Sequence, residues 1–359
     1  MLELFLRSVN YSLYINDLTP IKIENTYFPA YLDDYYIKDS VFLDLSYRSL
    51  SLYTDQYKNI VVDSTLFYNV SSPQNYGAVF IVTNGNCLIC KACAFKCYSQ
   101  NPTSSYQFGS ITVGIASRND VLLSSASSCP FEGNRQHPLS LSNGFINVDM
   151  FNLSYNTNTG TYSGIYMSPT QPFSYLYSTH YGNTGNGHYH FRISCGYQVQ
   201  GDIKYCNFIY NRLTAWGNQL FYYHGEASYL VEKCIFARNL GTLFAANTGT
   251  LGSFILLSCS IAHQYSGTYL ATVSATVKSV VVTSVVITQS YALEHLSTVY
   301  CIADLPFSSE SISELCLPPT PPQSLPPIPT DCFVESITGS SLINVLTMVK
   351  SAIAYLLIF

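Results

Sequence analysis

The residues best equipped for chemistry are four cysteines in the order Cys87-x-x-Cys90-x-x-Cys93-x-x-x-Cys97. Thiolates at this spacing hold an iron–sulfur cluster in bacterial ferredoxins, where a loop wraps the metal. Here Tyr98 follows, where that run has proline, and Cys90 and Cys93 fill slots that recur as Ile203 and Cys206, and as Val231 and Cys234. A strand sends alternate side chains to opposite faces, so these thiols diverge. They are therefore read as buried or disulfide-paired, and no cofactor is expected. His188 and His190, with His180 nearby, put two imidazoles on one face of a strand, as a metal site requires. No carboxylate lies close in sequence and residues 182–187 read as a loop, so an exposed loop is expected and no metal site. Three sequons, at Asn10, Asn69 and Asn152, are candidate N-glycosylation sites, whereas Pro102 excludes Asn101.

A repeat positions these side chains. Residues 203–211 read I-K-Y-C-N-F-I-Y-N and residues 231–239 read V-E-K-C-I-F-A-R-N. In each, an apolar residue is followed by cysteine three positions on, phenylalanine two further and asparagine three further. Weaker copies stand at Leu256, Cys259, Ile261 and Gln264, and at Val282, Val285, Ile287 and Ser290. The phenylalanine-like position of Phe208 thus returns as Phe236, Ile261 and Ile287, at nearly even intervals. Upstream, the pattern is read at Val62, Thr65 and Phe67, then at Cys90, Cys93 and Phe95, and the step from Phe67 to Phe95, repeated, lands on Leu123 and Phe151. A second run, led by glycine, returns at Gly77, Gly109, Gly164, Gly217, Gly241 and Gly267.

Short alternating runs bounded by Gly, Asn and Ser are strands. Two or three of them in each unit of about 25–28 residues describe an all-β fold, a parallel β-helix solenoid whose coils bury their apolar rows only against neighbours. Cys93, Cys206, Cys234 and Cys259 then form a structural column inside it, where a free cysteine behaves as a small hydrophobe.

Composition agrees with half-wet strands: 14% of residues are aromatic, 31 of them Tyr, and only 10% are charged. With a net charge of −5 and no basic cluster, nucleic acid is excluded as a partner. Twelve cysteines suit an oxidising compartment or buried repeat positions. Four segments follow: an N-terminal cap over residues 1–55, the parallel β-helix over 56–302, a Cys- and Pro-rich spacer over 303–335 and a hydrophobic membrane-anchor helix over 336–359. The apolar stretch that begins at Leu342 and ends at Phe359 is close to the lower limit for a helix crossing a bilayer, about 17 residues. Lys350 in its middle costs about 2.5 to 3.5 kcal/mol there. Glu3 and Arg7 make the N-terminus a poor signal peptide.

The C-x-F-x-x-N strand alternating with a glycine-led strand resembles the pectin-lyase-like right-handed β-helix superfamily. More narrowly, it resembles the Tyr-, Ser- and Cys-rich β-helix surface proteins of trichomonad protists, which often end in one transmembrane segment. The resemblance covers residues 63–290 and the C-terminal layout, and it implies a right-handed solenoid at a cell surface or endomembrane. Many members of the superfamily cleave acidic polysaccharides with clustered aspartates, a His-Gly step and an Arg-x-Lys segment. His224-Gly225 is present here, but there is no Arg-x-Lys and no Asp-Asp pair beyond Asp34. Asp202, Glu226 and Glu232 fall on neighbouring coils, and their convergence in one groove would mark a carbohydrate-active enzyme. The expectation is instead a non-enzymatic surface scaffold, its exposed aromatic rows stacking on glycans or anchoring host or matrix proteins.

Overall fold

The repeat closes into coils in the computed structural model. Phe173–Leu176 runs along one side, the chain turns at Tyr177, and Thr179–Tyr181 forms the next side. After a second turn at Gly182, Thr184–Gly185 and Tyr189–Ser194 complete the circuit, and Gln200–Lys204 pairs in parallel with Phe173–Leu176. The structure describes residues 34–38, 40–46, 49–73, 77–100, 105–131, 136–158, 162–186, 189–196, 199–213, 219–225, 227–248, 253–262, 270–272 and 280–283. The chain divides into Met1–Pro319 and Thr320–Phe359, and every described residue lies in the first unit.

Equivalent strands of successive coils build three long sheets. Sheet A has ten strands, from Asp34–Lys38 to Val280–Thr283; sheet B has nine, from Val41–Leu43 to Ser260–Ala262; sheet C has nine, from Leu50–Tyr53 to Leu270–Thr272. Two-residue strands such as Thr184–Gly185 make a short fourth side. The result is an all-β parallel solenoid of about seven turns, with no helix among the described residues. The glycine-led runs of the sequence form sheet C. Its first rung, Leu50–Tyr53, and those of sheets A and B lie within the segment read as a cap. The spacer at 303–335 and the anchor at 336–359 lie outside the described residues, among which no helix is long and apolar enough to cross a membrane.

The interior consists of columns, one side chain per coil. On sheet A the column is Val62, Ile89, Val121, Val148, Tyr175, Ile203, Val231 and Leu256, all fully buried. Mostly β-branched or aromatic, these residues suit a pleated surface covered on its inner face. On sheet B the column is Phe67, Ala94, Ala126, Leu153, His180, Phe208 and Phe236. Where this column thins to alanine, a bulge in Ser105–Thr112 accompanies the entry of Phe108, whose ring lies 5.8 Å from Phe67. Phe173 likewise fills the space over Gly201, where an added Cβ would meet the ring at 1.9 Å.

The sheet B column corrects the sequence register. Phe67 is followed in its column by Ala94 rather than Phe95, and Ala94 by Ala126 rather than Leu123, so a constant step slips by one position at the first coil. A one-residue slip moves every side chain to the other face. Cys93 therefore pairs with Leu66 and Ser125, one place beyond the slot of Cys206, Cys234 and Cys259, and does not belong to their column. Phe95 faces outward and stacks on Tyr68, while Leu123 is a corner residue.

Corners hold the sheets at their angles. The turn from A to B is made at positive φ by Ser64, Lys91, Leu123, Met150, Tyr177, Tyr205, Lys233 and Ser258, and the turn after B by Asp44, Asn69, Lys96, Ser128, Tyr155, Gly182, Tyr210 and Arg238. This left-handed conformation costs a residue with a Cβ about 1 kcal/mol. It is offset because corner N–H groups still reach the next coil, as Tyr177 does to Lys204 O at 3.1 Å and Tyr205 to Glu232 O at 3.1 Å. Just inside the second corner runs a buried ladder of Asn156, Asn183, Asn211 and Asn239. Asn183 Nδ2 donates to Leu153 O and to Asn211 Oδ1, both at 2.8 Å, while its own Oδ1 accepts from the N and Nδ2 of Asn156 at 3.0 and 2.9 Å. Orphaning buried polar groups costs about 1 to 3 kcal/mol each, so Asn183→Ala is expected to lower the urea-unfolding free energy by about 3 kcal/mol, and Asn183→Asp to fail equally.

Candidate functional site

Sheet C carries two columns on its side away from the core. Along one of them stand Phe80, Ser110, Ser140, Tyr166, Arg192 and Tyr222, of which Phe80, Tyr166 and Arg192 are half-buried and Ser110, Ser140 and Tyr222 buried. Two residues further along each strand, Thr112, Ser142 and Ser168 line up, and the pairing of Met167 with Ile193 puts Ser194 next, followed by His224. Thr112, Ser142, Ser168 and Ser194 are half-buried and His224 is exposed. Rungs repeat at about 4.8 Å and the two columns stand about 6.6 Å apart, so half-buried hydroxyls recur at rung spacing beside an aromatic and cationic row.

Arg192 organises that row. Its guanidinium carbon lies 5.3 Å from the ring centre of Tyr166, 5.6 Å from Tyr189 and 5.9 Å from Tyr222, within cation–π range of all three. Tyr189 and Tyr222 stack at 4.1 Å, and buried His137 stacks on Tyr166 at 5.2 Å. A second row follows the first corner, where Tyr177 and Tyr205 stack at 4.9 Å with planes 3° apart and Lys233 Nζ caps Tyr205 at 5.2 Å. In both rows the ring faces are turned toward neighbouring side chains, so what they present outward is edges and hydroxyls. Within these two rows, one residue per coil at rung spacing brings Tyr177 onto Tyr205, and Tyr189 lies on Tyr222.

The histidines do not lie in an exposed loop, as the sequence suggested. His180 is on sheet B and His190 on sheet C, both fully buried, and His188 lies outside the described residues. Tyr175 Oη is 2.6 Å from His180 Nε2, and His180 Nδ1 is 2.8 Å from His190 Nε2. A neutral tyrosine donating to Nε2 leaves the Nδ1–H of His180 to donate to His190. The surroundings explain the misreading: inside the solenoid His180 takes a phenylalanine's place in its column, with Phe208 4.7 Å from its ring and Phe191 5.6 Å away. Among the described residues, no three of His, Cys, Asp and Glu gather as a metal site would need.

The cysteine run is likewise divided between faces. Cys87 lies in the main core, Cys90 joins Val61 and Leu88 in a separate outer cluster, Cys93 is disulfide-bonded with its Sγ 3.3 Å from Ser125 Oγ, and Cys97 Sγ donates inward to Phe67 O at 3.3 Å. Four thiolates on opposite faces cannot converge on one cluster. Cys206, Cys234 and Cys259 stack in successive coils, all buried and free, and the Cys206 N–H donates to Cys234 Sγ at 3.5 Å. Burial pushes the Cys234 thiol well above its ordinary value, which keeps it protonated and unreactive.

Asp202 and Glu232 converge, but on Lys204, whose Nζ is 3.3 Å from one and 3.6 Å from the other; Lys233 also reaches Glu232 at 3.7 Å. Glu226 and Asn10 lie outside the described residues. Gly225 takes φ +108° and an added Cβ would meet Cys195 O at 1.9 Å, so the His224-Gly225 step ends a sheet C strand where the neighbouring backbone comes too close for a side chain. Asn69 is an exposed corner residue whose Nδ2 donates to Asp44 Oδ1 at 2.6 Å. Asn152, on sheet B, has both amide atoms buried with no hydrogen-bond partner. Comparison of the chain with protein-family models, curated proteins and solved structures finds no match in any of the three.

The buried histidines give the molecule an acid limit. Burial, reinforced by the neighbouring His190, holds His180 well below the ordinary imidazole range; burial alone takes His190 to about 3. Burial and the nearby charges of Arg192 and His190 lower His137, against a hydrogen bond with the Gly164 backbone. The unfolded chain binds these protons near pH 6.5 and the folded one does not, so the stability is complete above that pH and drains away as pH falls below it. Three sites correspond to about 4 kcal/mol per pH unit at the steepest. Urea midpoints taken between pH 7.5 and 5 are expected to fall accordingly, and His180→Phe to shallow the slope by about a third.

Proposed function

We propose that this protein is a non-enzymatic, right-handed β-helix scaffold of a cell surface or endomembrane, which binds glycans or host and matrix proteins through the outer face of sheet C. The observation that carries the reading is the register-locked grid of Thr112, Ser142, Ser168, Ser194 and His224 beside Tyr166, Arg192 and Tyr222. Hydroxyl edges recurring at rung spacing suit a polymer whose own hydroxyls recur at a similar interval, as in an extended glycan. Parallel crossovers are right-handed in nearly all known cases, which supports that hand.

The resemblance to pectin-lyase-like and trichomonad surface proteins supports the location, with residues 342–359 as membrane anchor, and the sequons at Asn10 and Asn69 are the proposed glycan acceptors, since the amide of Asn152 is buried on sheet B. Asn69 has the exposed side chain among the described acceptors. The enzymatic alternative gains nothing from Asp202 and Glu232, whose contacts go to lysines.

Full-length protein displayed on cells is expected to bind an immobilised glycan or matrix component, and Ser168→Arg with Ser194→Arg to weaken that binding at least tenfold without moving the thermal midpoint. Equal binding by the blocked face, or no binding to glycan, matrix or host cell, overturns the reading. Expressed in a eukaryotic host, the chain is expected to shift on endoglycosidase treatment, with part of that shift lost in Asn69→Gln.

A further inference from the structure

Tyr177 and Tyr205 hold the same corner position in successive coils. Both are at positive φ, 47° and 59°, and their N–H groups continue the ladder to the next rung. Their backbones are therefore fixed one rung apart, and their rings lie 4.9 Å apart and 3° from parallel. Both are among the large side chains left well exposed, at 37% and 39%. Lys233, in the same column, donates from Nζ to Tyr205 Oη at 3.3 Å and covers the ring, at 5.2 Å from its centre. The other close tyrosine pairs differ. Tyr189 and Tyr222 stack at 4.1 Å, but Tyr222 is only 8% exposed and Arg192 lies against both. Tyr181 meets Tyr155 and Tyr210 edge to face, at 75° and 79°, and Tyr210 is 7% exposed.

We propose that Tyr177 and Tyr205 form an oxidative cross-linking site, at which a haem peroxidase with hydrogen peroxide joins the two coils through a dityrosine bond. Each phenol gives one electron and one proton to the oxidant, and the two electrons and two protons reduce one peroxide to two waters. The resulting phenoxyl radicals couple through their ortho carbons, forming one C–C bond. The two ortho hydrogens then move to the oxygens, restoring both phenols. The side chains reach this geometry by rotating about Cα–Cβ and Cβ–Cγ, which their exposure at a corner permits, while the backbone spacing holds the radicals together for longer than free diffusion would. The bond would close a circuit of one coil on the solenoid's outside, where the described residues have no covalent tie between these two rungs.

The test treats dilute, monomeric full-length protein with peroxidase and hydrogen peroxide and follows it by blue dityrosine fluorescence and peptide mass spectrometry. The expected product is a single linked peptide pair containing Tyr177 and Tyr205, lighter than the two peptides together by two hydrogens, with no dimer on a denaturing gel. Tyr205→Phe and Tyr177→Phe, which keep the stacked rings and are expected to keep the thermal midpoint, should each lose at least nine-tenths of the fluorescence. Tyr222→Phe should retain it. The proposal is overturned if no dityrosine forms, if the linkage joins separate molecules, or if either corner variant reacts like the parent protein.

Discussion

Each coil of this solenoid buries its interior side chains only against the coils before and after it, so register from rung to rung is the constraint on which everything else depends. With one side chain per coil at every interior position, neighbours in a column are fixed about one strand spacing apart. Apolar residues meet this condition by shape, as in the column from Val62 to Leu256. A polar residue meets it when partners in its own or an adjacent coil bond to it. Asn156, Asn183, Asn211 and Asn239 do so through amide bonds passed from coil to coil, whereas His180 is held within its own coil by Tyr175 and His190. The interior polar groups are thus part of the same periodicity as the apolar ones, and removing one leaves its neighbours without partners in a dry interior.

The same constraint explains what could be read from sequence. The Cys-Phe-Asn pattern at Cys206, Phe208 and Asn211, repeated at Cys234, Phe236 and Asn239, is legible because two adjacent coils share their spacing and their interior choices. Upstream the coils become unequal in length, and the interior choices change with them, from phenylalanine to Ala94, Ala126, Leu153 and His180. A constant step therefore assigned Cys93 to the wrong face. Asn156 and Asn183 continue the ladder, yet no cysteine or phenylalanine precedes them at the expected distance; the signal that remains is an asparagine two places after the sheet B strand in four successive coils, where earlier coils have Val70, Cys97 and Cys129. His180 and His190 looked like loop residues because glycines surround them, and only the closed coil shows that both point inward.

On the outside, corners and sheet C repeat the lesson with different chemistry. Side chains at one rung spacing stack on one another, so Tyr177 with Tyr205, and Tyr189 with Tyr222, turn their ring faces to each other. Lysines and arginines complete the rows, as Lys233 does at Tyr205 and Arg192 among Tyr166, Tyr189 and Tyr222. Arg192, Lys233 and Arg238 thus turn to neighbouring rings, and Lys204 to carboxylates. Which face points where was not legible from composition, because alternation in short strands between two left-handed corners leaves too brief a pattern to read.

The register itself is tested most directly by the accessibility of the interior thiols. Cys97, Cys129, Cys206 and Cys234 are free and buried, and each is held in a column by its neighbours in adjacent coils. Pulsed alkylation of the native protein, with each site resolved by mass spectrometry across a urea series, is the measurement to make. If the columns are as described, these four thiols resist the reagent in native buffer and become reactive only with loss of the β-sheet signal. Alkylation of Cys206 or Cys234 in native buffer at the rate of an exposed thiol would contradict the inward register and the fold built on it.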